Sequence, residues 1–356
     1  MARVMIMAGG TGGHVFPALA VARELRERGW DVDWMGTPDS FEARTVPPEG
    51  FPLHTISAYR LRGQGLGGLM LAPFRLLRAM GQAGRVLRHS RPQVVLGMGG
   101  FVTGPGGLMS RVLGIPLVIH EQNTIPGLTN RWLAKIAARV LEAFPGSFPA
   151  SVGATETGNP VRADILAVAP PEQRLAGRKD PLRILVIGGS LGAVALNEEI
   201  PPALARLEQP MEIRHQAGRG KAGAASDLYA GLALKAQVSE FIDDMAGALA
   251  WADLVICRAG ALTISELAAV GVASVLVPFP HAVDDHQTRN ARYLVEAGAA
   301  LLQPQSSIDT QALVQKLAGL LENRKLLLEM AMAARALGRP RATQQVADEC
   351  AAQVKT

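Results

Sequence analysis

Cysteine and aromatic residues are scarce in this sequence. Its two cysteines, Cys257 and Cys350, form no Cys-x-x-Cys pair, and Cys257 ends an apolar run in which a small buried thiol is the ordinary interpretation. We therefore expect a protein of a reducing compartment. Aromatic residues make up only 4 % of the chain, which disfavours nucleic-acid binding, because single strands are commonly held by stacking on aromatic rings.

Long apolar runs are also missing. Nowhere do about 18 apolar residues follow one another, so we expect no membrane span. The first residues, MARVMIMAGG, carry one arginine and too short an apolar run for a signal peptide. They predict a first β-strand instead.

Acidic residues are absent from one long stretch. Between Phe51 and His120 there are eight arginines and no aspartate or glutamate, although the net charge of the whole chain is only +5. A helix is predicted from Pro73 to His89, with arginines on one arc and apolar residues, expected to pack inward, on another. These are Arg75, Arg78, Arg85 and Arg88, and Leu76, Met80, Ala83 and Leu87.

This stretch predicts a surface that meets an anionic membrane. The apolar residues of LGGLMLAPF lie beside the arginines, and each basic group near such a surface contributes about 1 kcal/mol. A solvated arginine face and a nucleic-acid surface are the alternatives. The residues expected to meet the membrane are Leu69, Met70, Phe74, Arg75 and Arg78.

Short apolar runs alternate with helical patterns almost throughout, which predicts a parallel α/β architecture. The two halves of the sequence contain similar segments, since VMIMAGGTGG near the start matches ILVIGGSLGA at residues 184–193. Two Rossmann-like, doubly wound parallel-sheet domains facing across a cleft are the simplest account. The predicted strands are Val4–Ala8, Val32–Met35, Val94–Gly97, Leu117–His120, Ile184–Ile187, Glu212–His215, Leu254–Cys257, Ser274–Val277 and Ala299–Leu302.

Glycine-rich loops follow several of these strands. GGTGG at 9–13, GMGGFVTGPGG at 97–107 and GGSLG at 188–192 lie where open α/β sheets bind ligands, and glycine lets a phosphate approach the backbone. None of the loops fits G-x-G-x-x-G, and no acidic residue directly follows Val32–Met35 to hold a dinucleotide's ribose, so a dehydrogenase is disfavoured. A tight structural turn is the alternative for any single loop.

Two polar segments follow other predicted strands. AGALTISE at 259–266 places a helix start beside small residues. Glu266 could accept hydrogen bonds from both hydroxyls of a ribose or, alternatively, interact favourably with the helix dipole. HEQNTIPG at 120–127 offers amides and carboxylates that suit sugar hydroxyls or, alternatively, cap a loop. His14 follows the first glycine loop at a helix start, where a neutral imidazole is favoured.

These segments, in this order, resemble the MurG family of peptidoglycan glycosyltransferases. AGGTGGHVFPALAVA, GMGGFVTGPG, HEQNTIPGLTNR, GNPVR, GGSLGA and CRAGALTISELAA match the family pattern over essentially the whole chain. The resemblance implies a GT-B fold. It also implies inverting transfer of N-acetylglucosamine from UDP-N-acetylglucosamine to the C4 hydroxyl of the N-acetylmuramyl moiety of lipid I, which forms lipid II.

The resemblance also implies domains and a location. Residues 1–160 would bind the acceptor and the membrane, residues 161–335 would bind the donor, and a helix in 336–356 would pack back on the first domain. The enzyme would sit peripherally on the cytoplasmic face of the bacterial inner membrane, with partners in the cell-wall synthesis and division machinery. It would need no metal or cofactor, since UDP-N-acetylglucosamine is a substrate.

Site residues carry over from the family motifs position by position. Donor contacts are implied for Thr11, Gly12, Gly13, Asn123, Arg162, Ser190, Ile242, Ala261, Leu262, Thr263, Ile264, Ser265, Glu266 and Gln287. Acceptor contacts are implied for Gly99, Gly100, Phe101, Thr103 and Gly104. Many members carry two glutamines where this chain has His286-Gln287, so either side chain is a candidate for holding the sugar. His14 is the first candidate for the general base and Glu121 the second.

Three rival functions share parts of this pattern. A GT-B enzyme with a soluble acceptor would share the donor motif without needing the arginine stretch. A UDP-N-acetylglucosamine 2-epimerase would want carboxylates that the glycine loops do not supply. A silent UDP-sugar sensor would bind the donor and transfer nothing.

Overall fold

Parallel strands alternate with helices along both parts of the chain. The structure is a computed structural model that describes residues 1–58, 66–189, 192–307 and 310–354. The chain divides into unit 1, Met1–Arg162 with Arg341–Thr356, and unit 2, Ala163–Pro340. Each unit is built around one parallel sheet.

Unit 1 contains a sheet in the order β3-β2-β1-β4-β5-β6-β7. Its strands are β1 Arg3–Met7, β2 Asp31–Gly36, β3 Leu53–Thr55, β4 Val94–Gly97, β5 Leu117–Glu121, β6 Arg139–Glu142 and β7 Thr155–Glu156. Its helices are α1 Gly12–Glu27, α2 Phe41–Thr45, α3 Leu66–Ser90, α4 Thr103–Val112 and α5 Leu128–Leu133, with α15 Ala342–Ala351 from the end of the chain. Helix α15 packs against α1, where Arg28 forms an ion pair with Asp348 at 2.6 Å.

Unit 2 contains a sheet in the order β10-β9-β8-β11-β12-β13. Its strands are β8 Leu182–Ile187, β9 Met211–Gln216, β10 Ala236–Ser239, β11 Leu254–Cys257, β12 Ala273–Leu276 and β13 Ala300–Leu302. Its helices are α6 Ala163–Leu166, α7 Pro171–Arg174, α8 Val194–Leu204, α9 Ala222–Gly231, α10 Met245–Trp251, α11 Ala261–Val270, α12 His286–Val295, α13 Thr310–Leu321 and α14 Arg324–Ala336.

Central strands are buried on both faces, which explains their continuous apolar sequences. In β1, Val4 and Ile6 belong to one apolar cluster of unit 1, while Met5 and Met7 belong to another. Both cysteines are buried and free, and burial raises the pKa of Cys257 to about 12. The interpretation of Cys257 as a buried thiol is therefore confirmed.

All nine predicted strands are present, with ends that differ by at most two residues. The prediction missed β3, β6, β7 and β10, which have two to four residues and mixed sequences such as LHT and AQVS. Because such strands lie at or near a sheet edge, they lack the apolar runs that reveal central strands.

Helix α3 begins seven residues before the predicted start at Pro73 and contains that proline. Ala83 and Leu87 are buried as expected, but Leu76 is 36 % exposed, so its predicted inward packing is wrong. A Cβ added to Gly84 would lie 2.9 Å from the Met109 side chain of α4. Close packing by α4 is thus seen on the C-terminal half of α3.

Candidate active site

Both sheets reverse their strand order beside their first strand. In unit 1, β1 pairs with both β2 and β4, and in unit 2, β8 pairs with both β9 and β11. Ligands of doubly wound sheets bind beyond the carboxyl ends of the strands at such a switch point. The glycine loops after β1 and β4, and those after β8 and β11, begin at these positions.

The two glycine loops of unit 1 interlock. The Gly9 N–H donates to the Gly99 carbonyl at 3.3 Å, and a Cβ on Gly100 would lie 2.5 Å from the Gly9 carbonyl oxygen. Gly99 and Gly100 both have positive φ, 100° and 93°. Glycine at these two positions therefore serves close approach between backbones.

Glu42 anchors the first loop and was not predicted as a site residue. This fully buried carboxylate accepts hydrogen bonds from Gly10 N at 2.9 Å, Thr37 N at 2.9 Å and Thr37 Oγ1 at 2.8 Å. Burial alone would raise the pKa of Glu42, but the hydrogen bonds outweigh it and lower the pKa. The Gly10 N–H is thus already engaged, which leaves the start of α1 as the part of the loop that can meet a ligand.

His14 lies in the first turn of α1, packed between the second glycine loop and the segment after β5. A Cβ on Gly99 would lie 2.6 Å from His14 Nδ1, so only glycine leaves room for the imidazole ring. His14 Nδ1 lies 2.8 Å from Gln122 Oε1. The ring is half-buried, and the residues on both sides of it define its orientation.

Glu121, the second candidate base, has both carboxylate oxygens engaged. Oε1 accepts from Asn123 N at 2.9 Å, and Oε2 accepts from Gly127 N at 3.0 Å and Asn130 Nδ2 at 2.9 Å. The side chain is almost fully buried. This arrangement favours a role for Glu121 in holding the 121–130 segment over a role as a base.

The residues predicted to face the acceptor differ in exposure. Thr103 is fully buried and donates its hydroxyl to the Gly99 carbonyl at 2.9 Å, so its side chain supports the loop. Phe101 is 45 % exposed, and Gly104 is half-buried in the first turn of α4. Of the Thr103 and Phe101 side chains, only that of Phe101 is open to a ligand.

In unit 2 the loop after β8 is held by Gln216, a residue that the sequence analysis did not single out. Gln216 Oε1 accepts from Gly189 N at 2.9 Å, while its Nε2 donates to the Gly189 and Glu240 carbonyls at 2.9 and 2.8 Å. Ser190, expected to meet the diphosphate, lies outside the described residues.

Helix α11 begins at the end of the β11 loop and has no side-chain cap at Gly260. Of the six residues assigned to the donor here, Ile264 is fully buried, which leaves its backbone as the part able to meet a ligand, and Ala261 is 8 % exposed. Leu262, Thr263, Ser265 and Glu266 are half-buried. The Ser265 hydroxyl donates to the Ala261 carbonyl at 3.0 Å.

The loops after β11 and β12 are tied together beside α11. Arg258 donates to the Val277 and Pro278 carbonyls at 3.0 and 3.1 Å, and Asn290 of α12 donates to the Ala259 carbonyl at 3.2 Å. Gln287 Oε1 accepts from Phe279 N at 2.9 Å. These bonds hold Gln287, in the first turn of α12, on a rigid support.

The remaining predicted donor residues lie in loops and at a helix start. Ile242 is half-buried in the loop after β10, and Arg162 is the last residue before α6. Thr11, Gly12 and Gly13 form the start of α1, where Thr11 makes no side-chain cap. Asn123 follows β5, and both its backbone N–H and its side-chain amide donate to Glu121 Oε1. The predicted residues therefore gather into two groups, one in each unit.

The helix starts after the glycine loops share one property. Helices α1, α8 and α11 begin without a side-chain cap, as do α5, α7, α9 and α15, whereas α2, α10 and α14 are capped by Ser40, Asp244 and Asn323. Uncapped first-turn N–H groups and the helix dipole favour an anion at these positions.

Unit 1 also exposes large apolar side chains beside its arginines. On α3, Leu71, Phe74 and Leu77 are 51 %, 71 % and 64 % exposed. Arg78 is exposed and Arg75 half-buried, and the side chains of Leu69 and Met70 lie outside the described part of the chain. Helix α4 packs against both α3 and α5, and the exposed apolar residues on α4 and α5 are Leu108, Val112, Leu128 and Trp132.

The described residues contain neither a bilayer span nor a metal-binding cluster. None of the helices in these ranges combines the length and hydropathy that a bilayer span requires. Within the same part of the chain, no group of three or more His, Cys, Asp and Glu side chains is arranged to hold a metal ion.

Comparison with known families matches nearly the whole chain. Residues 4–142 match the glycosyltransferase family 28 N-terminal domain, and residues 183–346 match the glycosyltransferase family 28 C-terminal domain. Together these matches include all or most of every strand except β7.

Individual relatives are similar over their full length. A protein of Methylococcus capsulatus is 57 % identical over 349 residues, which cover 98 % of both chains; it is named UDP-N-acetylglucosamine--N-acetylmuramyl-(pentapeptide) pyrophosphoryl-undecaprenol N-acetylglucosamine transferase. A relative of the same name from Aeromonas hydrophila is 53 % identical over 347 residues, covering 98 % of this chain and 96 % of that protein.

Solved structures agree with this similarity. The crystal structure of Acinetobacter baumannii MurG aligns with a TM-score of 0.87 and 46 % identity, covering 99 % of this chain and all of that one. A glycosyltransferase of kitacinnamycin aligns with a TM-score of 0.73 but only 18 % identity, over 99 % of both chains. The second alignment shows a common fold alone.

Proposed function

The chain belongs to glycosyltransferase family 28, and we propose that it forms lipid II by transferring N-acetylglucosamine from UDP-N-acetylglucosamine to lipid I. The observation that carries this function is the identity of 53 to 57 % to transferases of that name over 98 % of the chain. The fold is GT-B, with one doubly wound parallel sheet in each unit. The enzyme is an inverting N-acetylglucosaminyltransferase that takes part in peptidoglycan synthesis.

Unit 2 is proposed to bind the donor. The uncapped starts of α8 and α11 would face the diphosphate, and Glu266 would accept hydrogen bonds from the ribose hydroxyls. Both candidates for the sugar, His286 and Gln287, are half-buried, and Gln287 is our choice because the Phe279 N–H fixes its amide. Gln216 would keep the β8 loop in shape.

Unit 1 is proposed to supply the general base and the acceptor contacts. The C4 hydroxyl attacks the anomeric carbon while the bond to UDP breaks, and the hydroxyl proton passes to the base. His14 is our candidate, because its ring lies half-buried beside the second glycine loop, whereas the Glu121 carboxylate is engaged in the loop that follows β5. A general base contributes about 10²- to 10⁴-fold to such a rate.

The leaving group is an anion that needs stabilisation. Helix starts supply fixed partial positive charge where negative charge develops. Arg162 is proposed to add the full positive charge of its guanidinium group. We propose on this basis that transfer requires no metal ion or cofactor.

Access to a polyprenyl-linked acceptor requires contact with a bilayer. We propose that the N-terminal half of α3 rests on the anionic surface of the cytoplasmic face of the inner membrane. Its exposed Leu71, Phe74 and Leu77 would enter the interface, while Arg75 and Arg78 would approach the headgroups. The membrane location is our only reason to propose contacts with the cell-wall synthesis and division machinery.

The test is a transfer assay with radiolabelled UDP-N-acetylglucosamine and a lipid I analogue. We expect labelled lipid II to form, while a soluble aglycone stays unlabelled and donor alone gives no epimer. Labelling of the aglycone, or a new epimer, would replace the proposal with the corresponding rival. His14→Ala should lower kcat about 10²- to 10⁴-fold at saturating acceptor; nearly full turnover would remove His14 as the base.

A further inference from the structure

Four groups in unit 1 form a continuous chain of hydrogen bonds that ends at His14. From the Gly158 carbonyl it runs through His120 and Gln122 to the His14 ring, with separations of 2.9, 3.2 and 2.8 Å. We propose that Gln122 is a positioning residue that holds His14 with its proton on Nδ1, so that Nε2 carries the lone pair. The catalytic consequence rests on the proposed role of His14 as the base.

The direction of these hydrogen bonds is determined by the Gly158 carbonyl, where the series begins. A carbonyl oxygen only accepts hydrogen bonds, so His120 Nε2, 2.9 Å from the Gly158 oxygen, must carry a hydrogen. His120 is fully buried, and burial lowers its pKa to about 4, so the ring is neutral at physiological pH. A neutral imidazole has one N–H, and His120 Nδ1 is therefore an acceptor.

The orientation of the Gln122 amide follows from His120. Gln122 Nε2 lies 3.2 Å from His120 Nδ1 and 3.2 Å from the His120 carbonyl oxygen, and both of these atoms are acceptors. The NH₂ group must face them, because the reversed amide would place its oxygen against two acceptors and leave a buried group unsatisfied. Asn159 Nδ2 also donates to the Gln122 carbonyl at 3.1 Å, which fixes the backbone.

The state of His14 is the last step. With its NH₂ group turned toward His120, Gln122 presents Oε1 to His14 Nδ1 at 2.8 Å, and an oxygen acceptor requires a hydrogen on that nitrogen. In the neutral ring Nε2 then carries the lone pair that a base needs. Gly99 also limits the position of the ring, since a Cβ there would lie 2.6 Å from Nδ1.

The experiment reads the tautomer directly. In protein labelled with ¹⁵N-histidine, the His14 signals are assigned by their loss in His14→Gln. We expect Nε2 of the wild type to resonate as a non-protonated nitrogen and Nδ1 as a protonated one above the pH at which the ring titrates. A wild-type spectrum with the proton on Nε2 would overturn the proposal without any variant.

Variants connect the tautomer to turnover. Gln122→Met keeps the side-chain length but removes the acceptor, so we expect a mixture of both His14 tautomers. We expect kcat to fall about 10- to 100-fold, less than the loss of about 10²- to 10⁴-fold for removal of a general base, and the KM for UDP-N-acetylglucosamine to stay within about twofold. Gln122→Glu keeps an oxygen acceptor at Nδ1 but places its second oxygen against the two acceptors of His120, so we expect it to retain the proton on His14 Nδ1 while lowering the free energy of unfolding.

Gln82→Met is the matched control, because Gln82 accepts from Ser57 N in the same unit, away from His14. It should leave the His14 spectrum and kcat unchanged. An unchanged tautomer and kcat in Gln122→Met would refute the positioning role. An unchanged kcat in His14→Ala would instead refute the base assignment and leave the tautomer result standing.

Discussion

Replacement of Glu42 by glutamine should destabilise the first glycine loop, although Glu42 lies 32 residues from Gly10 along the chain. The carboxylate accepts two hydrogen bonds from Thr37 and one from Gly10. In Glu42→Gln the amide oxygen can serve Thr37, but the NH₂ group then faces the Gly10 N–H. One charge-assisted hydrogen bond is thereby lost and replaced by a contact between two donors.

The expected magnitude follows from these contacts. A hydrogen bond to a charged group contributes about 1.5 to 3 kcal/mol, and the exposed Gly10 can regain a bond to water, so we expect a loss of about 2 kcal/mol. Glu42→Ala removes all three bonds and leaves a cavity, for which we expect about 4 kcal/mol, less than the sum because neighbouring contacts are not additive. A loss of 1 kcal/mol lowers Tm by about 2 to 4 °C in a domain of 150 to 250 residues. Tm should therefore fall by roughly 4 to 8 °C in Glu42→Gln and by roughly 8 to 16 °C in Glu42→Ala.

The assay is urea and thermal unfolding followed by tryptophan fluorescence. Trp34 is fully buried and donates to the Ala8 carbonyl beside the loop, so its emission reports on this region. Glu27→Gln is the matched control, because Glu27 is an exposed carboxylate at the end of α1, and we expect a change within about 0.5 kcal/mol.

The pH dependence gives a second criterion. Since the pKa of Glu42 is lowered in the folded state, its contribution is present above the ordinary pKa of glutamate and is lost as the pH falls through the folded value. The difference between wild type and Glu42→Gln should therefore shrink in acid. Equal stabilities of Glu42→Gln and Glu27→Gln at neutral pH, or a difference that grows in acid, would refute the reasoning.

Three further predictions concern binding and turnover. Glu266→Gln should raise the KM for UDP-N-acetylglucosamine about tenfold, the equivalent of about 1.4 kcal/mol, through weaker ribose hydrogen bonds; an unchanged KM would assign Glu266 to the helix dipole. Charge reversal of Arg75 and Arg78 should weaken binding to anionic vesicles, measured by sedimentation, by at least about 2 kcal/mol in a salt-dependent way, since each basic group contributes about 1 kcal/mol; unchanged sedimentation would remove the membrane assignment to α3. A chelator should leave kcat unchanged, and a loss of turnover that Mg²⁺ restores would contradict metal-free transfer.

The sequence alone could predict the central strands and their loops. Continuous apolar runs such as LVIC of β11 mark strands buried on both faces, because a parallel strand covered by helices on both sides carries apolar side chains at successive positions. The glycine loops were recognisable for the same reason, since they directly follow those runs. The family motifs added the chemistry that periodicity does not contain.

The inward packing of Leu76 was predicted incorrectly, and the support for the loops was not predicted at all. Helical spacing says which residues share a face, but not how far a neighbouring helix covers that face. In the sequence, Gln216 is only a polar residue at the end of a strand. Its three hydrogen bonds with Gly189 and Glu240 depend on how β8, β9 and β10 align.

What the sequence determined by itself was the parallel α/β class, the positions of the glycine loops and the family. Only the tertiary structure decided which polar groups hold those loops and which way their hydrogen bonds point. His14 and Gln122 are 108 residues apart, and no local pattern relates them. They meet because the parallel strands β1, β4 and β5 end at one edge of the sheet, where a hydrogen bond requires an alignment that only the folded sheet provides.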